Sequence, residues 1–299
     1  MIPPQPRRPE RRRPSHETIV RRRVVALGVL LLALALVGWA VAGFRDGGKK
    51  AAPKPTVPVA PKPMRIVFPE GFTRAEMASR IAAVDVIAEQ KRHVRPLLSK
   101  ERYLAITGNR RLVPRGFAKA PSLEGFLFPA TYDFTRRTTT RQLVLAQLQA
   151  FRRNWSRVDL SYARSRNLTS YDVLTIASMV EKEAVAPDER AKVARVIYNR
   201  LRIGMKLGID ATIRYALNVP GTESLRQSQL SSNSPYNTRV HYGLPPTPIA
   251  NPGLASIQAA AHPDPGNWLY YVAAPDKVHS FFTASAAAFE RYKATHGYR

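Results

Sequence analysis

Hydrophobic positions follow three regimes along the chain. The first is an unbroken run, Val24 to Phe44 (VVALGVLLLALALVGWAVAGF), of about 21 residues without a charge, enough as a helix to cross a hydrocarbon core of roughly 30 Å. A cleavable secretory signal has a shorter apolar region, roughly 7–15 residues, that ends at a small-residue site. Ala40-Val41-Ala42 offers such a site, but the run before it is too long. Residues 24–44 are therefore expected to form a retained transmembrane helix. Arg21-Arg22-Arg23 stands directly before it, which sets the N-terminus in the cytoplasm and the rest of the chain on the extracytoplasmic side.

The second regime has no period. Residues 1–23 are rich in Pro and Arg and read as a basic cytoplasmic tail. Residues 45–63, centred on GGKKAAPKPTVPVAPKP, read as a Pro/Lys/Ala-rich linker whose prolines favour extended polyproline II, a semi-rigid spacer.

The third regime starts at Met64 and is periodic. MRIVF alternates as a short strand, and Pro69-Glu70-Gly71-Phe72 makes a turn. Thr73 with Glu76 three residues on forms a capping box that opens a helix, with Met77, Ile81 and Val84 on one face. This pattern predicts a small βα module over 64–110. Beyond it, helices are expected at 139–155, at 170–184 after a Thr169 cap, over ERAKVARVIYNRL with a stripe of Val193, Val196, Ile197 and Leu201, around 254–261, and at 284–293. WLYYVAA (268–274) reads as a strand. The fold class is α+β, with a helix-rich unit over 111–299.

Charge changes this picture little. The formal net charge is +26, a value that suggests nucleic acid, but much of it flanks the apolar run. Such cations are drawn to anionic headgroups by roughly 1 kcal/mol each, so membrane lipid is the expected partner. The remaining Arg residues are scattered along helices without interleaved aromatics, and nucleic acid is not expected. There is no Cys, which excludes disulfides and thiolate metal sites. The six His are isolated from one another, and no Gly-rich phosphate loop, G-x-S-x-G elbow or H-E-x-x-H helix occurs. Neither metal nor cofactor is expected.

Three polar constellations remain. Glu181-Lys182-Glu183 ends the helix 170–184, and its two carboxylates lie about 200° apart on opposite shoulders of the apolar stripe. Only one can point into a given cleft, and the wheel does not choose. A carboxyl on such a shoulder is desolvated, which raises its pKa and suits it to general acid work; an ordinary solvated helix end has the same spacing. The loop 234–253 is dense in Pro and Gly, and Tyr236, Asn237 and Thr238 place an aromatic face beside amide and hydroxyl groups, a combination that suits sugars. A structural crossover loop would look the same. Glu124, embedded in LEGFLFP, reads as a carboxylate that satisfies backbone groups.

Read together, LEGFLFPATYDF (123–134), IASMVEKEA (176–184), ERAKVARVIYNRLRIGMKLGIDATIRYAL (189–217), SPYNTRVHYGLPPTPIANPG (234–253), SIQAAAHP (256–263) and WLYYVAAPDKVHSFFTAS (268–285) resemble the MltG-type, or YceG-like, endolytic murein transglycosylases. The resemblance covers roughly residues 66–296. It implies a single-pass membrane protein with a LysM-like module (64–110) ahead of a lysozyme-like catalytic domain (111–299). The implied activity is cleavage of nascent peptidoglycan glycan strands to leave 1,6-anhydro-N-acetylmuramic acid ends, ending strand elongation beside peptidoglycan synthases. The catalytic carboxylate is then the second of E-K-E, Glu183, with Asp210, Thr212, Tyr236, Asn237 and Thr238 around the sugar; Asp210 alternatively caps a helix that begins near Thr212.

This chain departs from the family pattern at three points. Ala184 stands where a Ser or Thr is usual, so hydroxyl support for Glu183 has to come from elsewhere. Ala130 replaces a common Asp, and the module before the catalytic domain is short. A non-catalytic glycan-binding scaffold and a muramidase-type hydrolase are the competing readings.

Overall fold

A computed structural model describes residues 16–45 and 63–298. The chain divides into two units, Met1–Ala60 and Pro61–Arg299. The first contains one helix, α1 (His16–Arg45), which starts within the segment expected as a tail. Its described side chains, Val25 and residues 27–40, are all exposed. Among the described residues no helix is long and apolar enough to cross a membrane. The side chains at both ends of the expected span, residues 1–15 of the tail and residues 46–62 of the linker lie outside the described residues.

The second unit opens with β1 (Met64–Val67), α2 (Arg74–Arg92), α3 (Lys100–Thr107) and β2 (Thr131–Phe134). The two strands are antiparallel, Met64 opposite Phe134 and Val67 opposite Thr131. This strand–helix–helix–strand arrangement extends past residue 110. Ile66, Met77, Ile81 and Tyr103 share one apolar cluster with Phe117, Phe126, Leu148 and Phe151, so the packed unit is larger than a 64–110 module. The capping box of α2 forms as its sequence requires, with Thr73 Oγ1 accepting from the Glu76 amide and Glu76 accepting from the Thr73 amide. Such a cap is worth about 1 kcal/mol.

The helical remainder comprises α4 (Thr140–Trp155), α5 (Ser161–Ser165), α6 (Ser170–Glu183), α7 (Arg190–Arg202), α8 (Asp210–Leu217), α9 (Gln227–Leu230) and α10 (Leu254–Ala261). A hairpin of β3 (Tyr270–Ala273) and β4 (Ser280–Thr283) pairs Tyr271 with Phe282, and α11 (Ala286–Thr295) ends the chain. Thr139 and Thr169 cap α4 and α6 with reciprocal side-chain bonds.

Helix α6 organises the unit because both of its sides are apolar. Tyr171 and Leu174 belong to the first cluster. Val173, Ile176, Met179 and Val180 belong to a second, shared with Val193 and Ile197 of α7 and Ile257 of α10. A helix apolar all round has to be enclosed, and α6 is enclosed until its last turn, where Glu181 and Glu183 emerge. Gly125, at φ +89°, lets the LEGF turn press on Pro248; a Cβ there would come within 2.7 Å of the proline ring. That close approach seats Glu124 below.

Candidate active site

A cleft of about 780 Å³ runs between the first turn of α2 and helix α8. Its wall includes Arg74, Glu76, Glu124, Glu183, Asp210 and Tyr215. A second concavity of about 560 Å³, around Asp159, Arg190 and His262, is shallower and includes neither member of the E-K-E pair. Its Asp159 is exposed and held below the usual carboxylate range by hydrogen bonds from Ser161, so it offers no proton near neutral pH. The first cleft, which includes Glu183, is the candidate site.

The two shoulders of α6 meet different neighbours. Glu181 Oε2 accepts from the Gly253 amide at 3.0 Å, which places it at the residue that precedes α10. A carboxylate there satisfies an orphan N–H and complements the helix dipole. Glu183 turns the other way, into the cleft. It is half-buried and accepts from the Tyr271 hydroxyl at 2.9 Å through Oε2. Burial pushes its pKa above the ordinary glutamate value. The Tyr271 hydroxyl opposes this, the charge of Asp210 adds to it, and the Ala211 amide and the Arg200 guanidinium oppose it. The net direction is upward, so the carboxyl keeps its proton to higher pH than a solvated one. The hydroxyl support that Ala184 lacks is thus present at Tyr271, on the C-terminal hairpin.

Arg200, on α7, is anchored by the carbonyls of Leu269 (2.7 Å) and Leu207. Asp210 begins α8 instead of capping it. Ile209 is the N-cap residue and no side chain caps the helix, while Asp210 Oδ1 pairs with Arg239 Nε at 2.5 Å.

The other residues expected around the sugar are placed differently. Thr212 is fully buried and its hydroxyl donates to the Ile209 carbonyl at 2.6 Å. Thr238 Oγ1 accepts from the Ile209 amide at 2.9 Å and lies 3.1 Å from Thr212 Oγ1. Asn237 donates to the carbonyls of Leu230 and Ser232 at 2.9 and 2.7 Å, and accepts from the Arg239 amide at 3.1 Å. Buried polar groups have to find such partners, and these three find them inside the protein, none on the cleft wall. They clamp the entry to α8 and the segment that carries Arg239. Tyr236 is half-buried, its hydroxyl 2.9 Å from Thr247 Oγ1 and its ring packed on Tyr215. Of the five, Asp210 alone lines the cleft.

Glu124 satisfies backbone, as its sequence context suggests, and more besides. It accepts from the Arg74 amide at 3.0 Å, from Asn251 Nδ2 at 2.9 Å and from the Tyr215 hydroxyl at 3.2 Å. Asn251 in turn donates from Nδ2 to the Phe72 carbonyl and accepts from the Leu127 amide, both at 2.9 Å. Burial pushes the Glu124 carboxyl up to about 7, against the lowering effect of the Arg74 amide and charge.

Sequence reasoning passes over Tyr271, Arg200, Arg239 and the titration of Glu124. Tyr271 reads as one more strand aromatic, and only the fold brings it to Glu183. Arg200 sits four residues after Val196 and three after Ile197, beside the apolar stripe, and the sequence gives no sign of which groups it meets there. Among the described residues, no three His, Asp or Glu side chains are grouped to hold a metal ion.

Comparison with known proteins agrees with these motifs. The model of the YceG-like family matches residues 50–295. The endolytic murein transglycosylase of Bacillus subtilis (strain 168) is 37% identical over 151 residues, 50% of this chain and 42% of that protein. The protein of the same name in Streptococcus pneumoniae (strain ATCC BAA-255 / R6) is 32% identical over 235 residues, 72% of this chain and 41% of that one. The chain thus aligns with about two fifths of the length of these curated relatives. The crystal structure of a YceG-like protein from Listeria monocytogenes superposes with a TM-score of 0.57 at 29% identity, covering 77% of this chain and 75% of that one. By its sequence and by the fold of its helix-rich unit, this chain belongs to the YceG-like family.

Proposed function

We propose that the chain is a lytic transglycosylase that cleaves peptidoglycan glycan strands, with Glu183 as its single acid and base. The observation that carries this reading is the inequality of the carboxyls in the cleft. Glu76 is engaged in the capping box of α2, Asp210 is ion-paired with Arg239, and Glu124 has both oxygens occupied. Glu183 combines a pKa raised by burial with an oxygen, Oε1, that makes no side-chain hydrogen bond among the described residues.

One acid suffices when the nucleophile belongs to the substrate. Glu183 protonates the glycosidic oxygen as the C1–O bond of the muramic acid breaks. The C6 hydroxyl of the same sugar then closes on C1 and returns its proton to the Glu183 carboxylate. The product is a 1,6-anhydro end, and no water enters. Holding nucleophile and centre in one ring gives a high effective molarity. A hydrolase would need a second carboxylate free to activate water or attack the sugar. Full-length protein incubated with purified glycan strands is expected to release anhydro-terminated fragments, read by mass spectrometry. Reducing ends would replace this reading with a muramidase, and no release would replace it with a glycan-binding scaffold.

The same proposal takes Val24–Phe44 as a single-pass anchor with the N-terminus cytoplasmic, sets the cleft outside the membrane beside the synthases that extrude glycan, and takes residues 64–110 as a LysM-like module ahead of the catalytic domain (111–299). The support is the uncharged run itself, preceded by Arg21-Arg22-Arg23. The chain is expected to stay in the membrane fraction through an alkaline carbonate wash, and external protease is expected to digest it from the outside in right-side-out vesicles. Release by carbonate would remove the anchor from the proposal.

A further inference from the structure

The hairpin β3–β4 reaches Glu183 through the Tyr271 hydroxyl. Tyr271 is the third residue after Trp268 and pairs across the hairpin with Phe282, on whose ring its own is stacked at 5.7 Å. Phe282 is held from its other neighbours by Trp268 at 5.8 Å and by Lys192 over its face. The ring of Tyr271 is therefore fixed by packing, and its hydroxyl is aimed at Glu183 Oε2, 2.9 Å away.

We propose that Tyr271 is a positioning residue for Glu183: by donating to Oε2 it leaves Oε1 as the oxygen that carries and receives the reacting proton. The inference rests on the reading of Glu183 as the acid. A carboxylic acid has one proton for two oxygens. An oxygen that already accepts an O–H is the poorer place for it, because two hydrogens would then face each other. A fixed donor on Oε2 thus chooses the acid oxygen as well as the rotamer. Burial keeps the Tyr271 hydroxyl protonated far above its usual range, so the donor persists across the working pH.

The other charged groups around this carboxyl do not duplicate the role. Asp210 on α8 is an acceptor, and Arg239, after the loop's Asn237, is bonded to Asp210. Arg200 on α7 is committed to two backbone carbonyls. The Ala211 amide favours the carboxylate but belongs to backbone, so side-chain substitution leaves it in place.

Tyr271→Phe keeps the ring on Phe282 and deletes the donor. Glycan release is expected to slow about tenfold, and the basic limb of its pH profile to move up by about one unit, because the hydroxyl favours the ionised carboxyl and its loss favours the proton. The carboxyl of Glu183, followed by 13C NMR in full-length protein, is expected to titrate higher by the same amount. 3-Fluorotyrosine placed at position 271, a stronger donor of nearly the same shape, is expected to move both readouts down. It serves as the deciding variant should the Phe protein not fold.

A merely structural role predicts a slower enzyme with an unmoved limb and an unmoved titration, and that result overturns the inference. The NMR titration needs no turnover. If wild-type protein released no anhydro ends, the reading of Glu183 as acid would fall, while the Tyr271–Glu183 coupling would still be decided by the titration.

Discussion

Glu183→Gln is expected to slow the release of anhydro-terminated glycan by about 10²- to 10⁴-fold, the range that a positioned general acid contributes. The substitution is close to isosteric. Its amide oxygen can still accept from Tyr271, but its NH2 cannot give a proton to a leaving oxygen. Binding of glycan strands is expected to persist, since the cleft keeps its shape. The folded protein is expected to gain slightly in stability, because a carboxyl that burial disfavours as an anion has been replaced by a neutral group. Loss of activity with unchanged or improved melting separates chemistry from damage.

Glu181→Gln is the matched control, two residues away in the same E-K-E. Its carboxylate serves the Gly253 amide, and the Gln oxygen can accept the same bond, so the expected loss is the charge–dipole contribution alone, under about 1 kcal/mol. Its cleavage rate is expected to stay within twofold of wild type. If the two variants exchanged behaviours, the assignment of the acid would be reversed. Within wild type, burial raises the Glu183 pKa, so the rate is expected to hold through the range where an exposed glutamate has already ionised. It falls as pH rises through the raised value.

The contrast between these two glutamates also shows how far the amino-acid sequence carries. A helical wheel puts Glu181 and Glu183 on opposite shoulders of one stripe, and that much is correct. Which shoulder faces a cleft depends on α8 and α10 arriving on opposite sides of α6, and no local pattern encodes that. The caps at Thr73, Thr139 and Thr169 are legible because a capping box is a local exchange of hydrogen bonds, complete within four residues. Strands β2 and β4 are not legible. Each has four residues, and β2 is defined by a partner at Met64–Val67 far away in the chain.

The polar triplet Tyr236-Asn237-Thr238 is ambiguous for a related reason. Its composition suits a sugar, but the same amide and hydroxyl groups suit an enclosed loop equally well. Asn237 and Thr238 prove to be 1% and 2% exposed, their bonds directed at the backbone that launches α8. Sequence locates such groups near a site without saying whether they touch the ligand or hold the residues that do.

Glu124 supplies the second large effect, this time on stability. Its carboxyl joins the first turn of α2, the Asn251 loop and helix α8 at one buried point. Glu124→Ala is expected to cost about 3–5 kcal/mol, since it leaves the Arg74 amide, Asn251 Nδ2 and the Tyr215 hydroxyl short of an acceptor and opens a void among them. Urea denaturation of the full-length protein in detergent reads that loss directly. Activity is expected to fall as well, because Tyr215 and the Asp210–Ala211 turn facing Glu183 share one helix.

Glu124→Gln is expected to behave quite differently. The amide oxygen keeps the bonds from Arg74 and Asn251, and the Tyr215 hydroxyl can turn to accept from the new NH2 group. What disappears is the titration. In wild type the folded pKa, about 7, lies above the unfolded value near 4.3. The folded state therefore holds the proton more tightly, and the associated stability is fully present below about pH 4 and lost as pH rises through 7. The loss over that window is on the order of 4 kcal/mol. The Gln variant is expected to remove this slope and to exceed wild type in stability at pH 8. Parallel pH dependences in the two proteins would mean that Glu124 is ionised throughout, its three donors outweighing its burial. The joint of α2, α8 and the Asn251 loop would then be held by charge, and a neutral side chain would loosen the cleft at every pH.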